Sequence, residues 1–140
     1  MSQKQEMQRK MQEYQALQQQ QQELQQYVEE LEQNVEELKT TKKAVDEIRK
    51  KEKGEEILVP LGSGAYIKAE LEKTDELIVN LGSHAYSSKN PDKAKELLDK
   101  RRKKLENARK EVSETIQENQ DKLQKLVPEL QKMRQNNQGQ

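Results

Sequence analysis

One eight-residue phrase occurs twice and constrains this chain more than anything else in it. Val59-Pro60-Leu61-Gly62-Ser63-Gly64-Ala65-Tyr66 returns as Val79-Asn80-Leu81-Gly82-Ser83-His84-Ala85-Tyr86. Ile57, Val59 and Leu61 alternate with Leu58 and Pro60. Ala65, Ile67, Ala69 and Leu71 alternate with Tyr66, Lys68 and Glu70, which is a strand pattern. Gly62, Gly64 and Gly82 supply the turns, because glycine accepts the positive φ of tight hairpins without steric cost. Leu77–Leu81 and Ala85–Ser87 repeat the arrangement. Residues 54–90 therefore read as two β-hairpins, with Pro60 on an edge or at a bulge because it has no N–H to donate. Four short strands cannot bury their apolar alternation or satisfy their edges alone. Ile57, Val59, Leu61, Ala65 and Ile67, with Leu77, Val79, Leu81 and Ala85, are thus expected to close a sheet or barrel with strands of other subunits.

Residues 1–53 contain no proline or glycine and keep a seven-residue beat. Leu17, Leu24, Leu31, Leu38 and Val45 hold one position; Tyr14, Val28 and Val35 hold the other, with Gln21 and Lys42 as polar breaks. That spacing is the signature of a coiled coil. The run Gln18 to Gln22 reads as exposed helix rather than a disordered tract, since Leu17 and Leu24 carry the register through it. Lys50, Lys51 and Lys53 suit the negative end of the helix dipole, and Gly54 is placed to close the helix.

The second helix is expected over 91–134, opened by an Asn90 cap, Pro91 in the first turn and Asp92 at the positive dipole end. Its stripe runs through Ala94, Leu98, Arg101, Leu105, Ala108, Val112, Ile116, Asn119, Leu123, Leu126, Leu130 and Met133, with a stutter between Val112 and Ile116. Pro128 is expected to kink or fray the last turns, and 135–140 to form a disordered tail. The two helices, about 75 Å and about 66 Å long at ~1.5 Å per residue, fold back as an antiparallel pair. Val45 then lies by Leu98, Leu38 by Leu105, Leu31 by Val112 and Leu17 by Leu126, while Asn119 faces Leu24 and fixes the register. The fold class is α+β, mainly α: a long two-helix coiled coil with two inserted hairpins that form an intersubunit β-barrel.

Composition excludes several functions. Hydrophobic residues make up 30% and aromatic residues 3% of the chain, too few for one large core. Lys+Arg and Asp+Glu balance at 26 each, so no net field draws nucleic acid or an anionic membrane. The band Lys100-Arg101-Arg102-Lys103-Lys104 encircles a whole turn between Asp99 and Glu106 and reads as a solvated helix surface. His84 is the only histidine and there is no cysteine, so neither a metal cluster nor a nucleophile–base pair is available. His84 stands where Gly64 stands in the first copy, a turn position. Gly62-Ser63-Gly64 joins two strands and lacks the Lys-Ser/Thr and helix of a phosphate loop. No apolar signal segment or run of 18 apolar residues occurs, so a cytoplasmic protein without a membrane span is expected. Neither catalytic residues nor a cofactor are expected.

All four methionines (Met1, Met7, Met11, Met133) fall at the chain-terminal end of the helix pair. They sit beside Tyr14, Leu17, Leu123, Leu126, Val127 and Leu130, and flexible thioethers suit surfaces that accept many shapes.

The order of helix, two Leu-Gly-Ser hairpins and helix, with Val59-Pro60-Leu61-Gly62-Ser63-Gly64-Ala65-Tyr66-Ile67 in place, resembles the prefoldin family. It resembles the family's alpha type, of the archaeal kind, because the beta type has a single hairpin; the likeness covers about Met7 to Met133. The resemblance implies an ATP-independent chaperone subunit. Two alpha-type and four beta-type subunits would join hairpins in a double β-barrel platform bearing six coiled-coil arms. The tips, here Met7, Met11, Tyr14, Leu17, Leu123, Leu126, Val127, Leu130 and Met133, would hold unfolded polypeptide and pass it to a group II chaperonin. The alternative is a coiled-coil oligomeric scaffold that holds no client.

Overall fold

The computed structural model describes residues 2–138. Helix α1 spans Gln3–Arg49 and helix α2 spans Pro91–Gln138. Between them lie β1 (Glu56–Gly62), β2 (Ala65–Glu70), β3 (Leu77–Gly82) and β4 (Ala85–Lys89). These residues divide into two compact units, Met1–Asn34 with Leu105–Gln140, and Val35–Lys104. No helix among the described residues is long and apolar enough to cross a membrane.

In the second unit the helix pair runs antiparallel. Arg49 meets Asp92 at 2.8 Å, Asp46 meets Lys95 at 2.7 Å, and Lys42 meets Asp99 at 3.0 Å. The partner number rises on α2 as it falls on α1. Val35, Val45, Ala94 and Leu98 are buried. The Lys95 ammonium, hydrogen-bonded to Asp46, holds that carboxyl below its ordinary pKa, and Lys42 does the same for Asp99. Asn90 caps α2 as expected, its Oδ1 accepting from Lys93 N–H at 2.8 Å. The end of α1 differs from expectation. The helix stops at Arg49, and Lys50 and Lys51 close it by donating to Glu47 and Ile48 carbonyls. Gly54, at φ +85°, is not the helix cap; its N–H donates to Leu71 C=O and extends the first hairpin outward.

Each hairpin is a separate two-stranded antiparallel sheet, β1 with β2 and β3 with β4. Val59 faces Ile67 and Pro60 faces Tyr66; one repeat on, Val79 faces Ser87 and Asn80 faces Tyr86. The register shifts between Pro60 and Gly62, and equally between Asn80 and Gly82. Pro60 is expected on an edge or at a bulge, and the register shift follows it, but the second copy bulges without a proline, so the turn is the common cause. Gly62 and Gly82 sit at φ +108° and +104°, a conformation that side-chain-bearing residues rarely adopt. Ser63 and Gly64 (+51°, +80°), like Ser83 and His84 (+50°, +62°), then form a tight turn with both central φ positive. Such turns match the right-handed twist of a hairpin. The Asn80 carboxamide accepts from Gly82 N–H at 2.8 Å and braces the second turn. Arg101, a polar break in the α2 stripe, donates to the Asn80 carbonyl and ties that hairpin to its helix.

The first unit holds the remainder of both helices, again antiparallel. Glu32 lies 3.8 Å from Arg109 and Lys10 lies 2.8 Å from Glu129. Leu31, Leu126 and Leu130 are buried together with two polar residues, Gln21 (7% exposed) and Asn119 (4%). Gln21 Nε2 donates to the Ile116 carbonyl at 3.0 Å, and Asn119 Nδ2 donates to Gln20 Oε1 at 3.0 Å. The partner of Asn119 is therefore Gln20, one turn before the expected Leu24. Helix α2 continues through Pro128 to Gln138. The proline frays nothing, and residues 135–138 of the expected tail are helical; Met1, Gly139 and Gln140 lie outside the described residues.

Candidate functional site

Two surfaces qualify, the open end of the helix pair in the first unit and the apolar faces of the hairpins in the second. The open end begins with a cap. Gln5 N–H donates to the Ser2 hydroxyl at 3.2 Å, and Ser2 N–H donates to Gln5 Oε1 at 3.3 Å. This reciprocal pair satisfies donors a helix start would otherwise leave orphaned. Helix α1 is thereby regular from Gln3, and Met7, Met11 and Tyr14 fall on one face at four- and three-residue spacing.

Helix α2 supplies the facing wall. Met7, Met11, Tyr14, Val127, Leu130, Gln131 and Arg134 line a groove of about 430 Å³. A second groove of about 470 Å³ lies among Tyr14, Gln18, Gln120, Leu123, Gln124, Val127 and Pro128. Tyr14 and Val127 belong to both, so the two grooves form one strip. Pro128 has no N–H to offer the Gln124 carbonyl, which leaves an acceptor in the wall. Tyr14 OH accepts from Gln18 Nε2 at 2.8 Å, and the Lys10–Glu129 ion pair crosses the two helices beside the strip.

Of the residues expected at this end, Met7, Met11, Tyr14, Leu123, Val127 and Leu130 line the strip. Leu126 is buried, and Leu17 and Met133 are half-buried outside it. Sequence reasoning missed the polar rim, Gln18, Gln120, Gln124, Gln131 and Arg134. Their positions beside the heptad stripe were the available signal. The strip has apolar walls, a flexible thioether lining and polar edges. Such a surface can bury an apolar side chain of almost any shape, and it presents no paired acid and base.

The hairpins expose more apolar surface than the sequence pattern suggested. Val59, Leu61, Ile67 and Leu81 are exposed, while Ile57, Leu77 and Val79 are half-buried. Leu58, assigned to the opposite face, is 61% exposed and its counterpart Ile78 in the second copy 76%, and Tyr66 and Tyr86 are exposed as well. These four were missed because strand alternation was read as one apolar face and one solvated face. The repeat itself was the signal, since Leu58 and Ile78, and likewise Tyr66 and Tyr86, hold equivalent places. Beside β4, Lys73 and Ser88 both hydrogen-bond Glu76, and chiefly the Lys73 bond holds its carboxyl below its ordinary pKa.

Paired helices with an apolar open end, and hairpins whose exposed sides cannot stay bare in water, define a coiled-coil assembly subunit. The sequence comparison names its family. The profile described as "Prefoldin subunit" matches residues 17–136, and the chain belongs to the prefoldin family, a family of non-enzymatic chaperone subunits. No curated protein sequence matches significantly. Among solved structures the chain is similar to a subunit of the filamentous PFD of Methanocaldococcus jannaschii. The TM-score is 0.72 at 22% identity, over 86% of this chain and 98% of that one. At that identity the likeness establishes the fold.

Proposed function

We propose that this chain is an alpha-type prefoldin subunit that holds unfolded polypeptides without ATP, in the cytoplasm, and passes them to a group II chaperonin. The observation that carries the reading is the apolar strip at the open helix end, lined by Met7, Met11, Tyr14, Leu123, Val127 and Leu130. A non-native client exposes apolar side chains, and each patch buried in the strip contributes ~25 cal/mol per Å². One strip is small, so a single contact is weak. Several subunits engaging one chain raise affinity through effective concentration. Multivalency requires assembly, and the two hairpins supply it by pairing with beta-type subunits, two alpha with four beta. Leu58, Leu61 and Tyr66 with Ile78, Leu81 and Tyr86 lose their exposure to those partners.

Deleting residues 1–14 and 127–140 tests the reading. The complex is expected to assemble but to lose suppression of client aggregation; unchanged suppression by the truncated complex would refute the strip as the client site. A second reading has an observation of its own. The similar Methanocaldococcus jannaschii protein is described as filamentous, which favours a scaffold that assembles through its hairpins and holds no client. Native mass measurement with and without a beta-type subunit, followed by an aggregation assay on the same sample, separates the two.

A further inference from the structure

The sulfur of this chain is distributed in an uneven way. It has no cysteine and no tryptophan, and its four methionines are Met1, Met7, Met11 and Met133. Thioethers are therefore the only side chains that a mild peroxide attacks readily, and none lies in the hairpins or in the second unit. Met7 and Met11 line the 430 Å³ groove with Tyr14, Val127 and Leu130. Met11 is 41% exposed, and Met7 and Met133 are half-buried, so all three residues are at least partly open to solvent.

We infer that Met7 and Met11 make the groove an oxidation-sensitive site, at which a hydroperoxide converts the thioethers to sulfoxides and switches client holding off. In each event the thioether sulfur attacks the terminal peroxide oxygen. The O–O bond breaks, an S=O bond forms, and the peroxide leaves as water or an alcohol after taking up the proton. Sulfur loses two electrons and the peroxide gains them. The product carries a strong hydrogen-bond acceptor where the strip presented a soft apolar wall. Burying that oxygen against a client's apolar side chain leaves it unpaired, so the contact weakens. The hairpin surfaces contain no methionine, and assembly is untouched. Methionine sulfoxide reductases reverse the change.

The inference rests on the strip being the client site, and the experiment separates the two. The full chain, assembled with a beta-type partner lacking methionine near its own tips, is treated with hydrogen peroxide. Sulfoxide is mapped by mass spectrometry, and the concentration needed for half-suppression of client aggregation is measured before and after. A Met7→Leu/Met11→Leu/Met133→Leu variant is carried in parallel. Oxidised wild type is expected to need roughly tenfold more protein, corresponding to the loss of about half the apolar transfer of one methionine. The half-suppression concentration of the variant, whatever its value before treatment, is expected not to change with peroxide, and reductase treatment is expected to restore the wild type. Unchanged suppression by wild type carrying sulfoxide at Met7 and Met11 overturns the inference, as does an equal loss in the variant. Failure of the untreated complex to suppress aggregation overturns the strip as the client site instead.

Discussion

Adjacent glutamines in α1 are expected to respond to the same substitution with opposite signs. Gln21 is buried; its Nε2 is bonded to the Ile116 carbonyl, while its Oε1 is buried without a partner. An unpaired buried acceptor costs ~1–3 kcal/mol. Gln21→Leu removes it, adds about 1 kcal/mol of extra apolar burial at ~0.8 kcal/mol per carbon, and forfeits one hydrogen bond worth ~0.5–1.5 kcal/mol. The Ile116 carbonyl keeps its helical bond, so nothing new is orphaned. The balance is a gain of about 2 kcal/mol, or roughly 5 °C in Tm for a chain of this size. Gln20 is exposed and accepts from Asn119, which is buried. Gln20→Leu strands that donor and is expected to cost about 1 kcal/mol. Urea denaturation followed by far-UV circular dichroism, with the m-values compared, measures both. If Gln21→Leu destabilises by more than about 1 kcal/mol while Gln20→Leu is neutral, the assignment of the polar layer is wrong.

Other outcomes follow from the hairpins and the ion pairs. Gly82→Ala forces a side chain onto φ +104° with nothing within 4 Å of the new methyl, so its cost, ~1–3 kcal/mol, is backbone strain alone. His84→Gly relieves a left-handed non-glycine residue at φ +62° and is expected to stabilise by about 0.5–1 kcal/mol after the greater chain entropy of glycine is deducted; thermal melts of the two variants should move in opposite directions. Leu58→Asp with Ile78→Asp should leave helicity unchanged, because both side chains are exposed, yet abolish assembly with partner subunits in size-exclusion chromatography. Asp46 and Asp99 have lowered pKa values. Their ion pairs therefore contribute above the unfolded carboxylate pKa and are lost as pH falls below about 4. Asp46→Asn/Asp99→Asn should lower stability at neutral pH, flatten that acid limb, and leave stability unchanged only where the pH is low enough to protonate both carboxyls in the folded state.

The outline of this fold is legible in the chain because each element is specified locally. Heptad leucines, the Asn90-Pro91-Asp92 start and the doubled glycine turn act within a few residues, and they place the helices and hairpins within a residue or a few of their observed bounds. Where expectation failed, a local rule competed with something the pattern does not weigh. Pro128 weakens one turn, but packing of Leu126 and Leu130 on either side of it carries the helix onward. Gly54 has the conformation of a helix cap, yet its N–H is taken by Leu71, which a linear reading cannot see.

By itself, then, the sequence determined the two helices, the duplicated hairpin and the antiparallel pairing of the helices. Those follow from periodicity and turn chemistry, which are properties of neighbours along the chain. Only the tertiary structure decided which residues remain uncovered. Leu126 and Met7 are both apolar and both lie near the open end, but one is buried and the other lines a groove. Leu58, read as the far side of a strand, and its counterpart Ile78 are among the most exposed apolar residues. Exposure depends on what stands opposite in space, and nothing in the spacing of one strand or one helix records that.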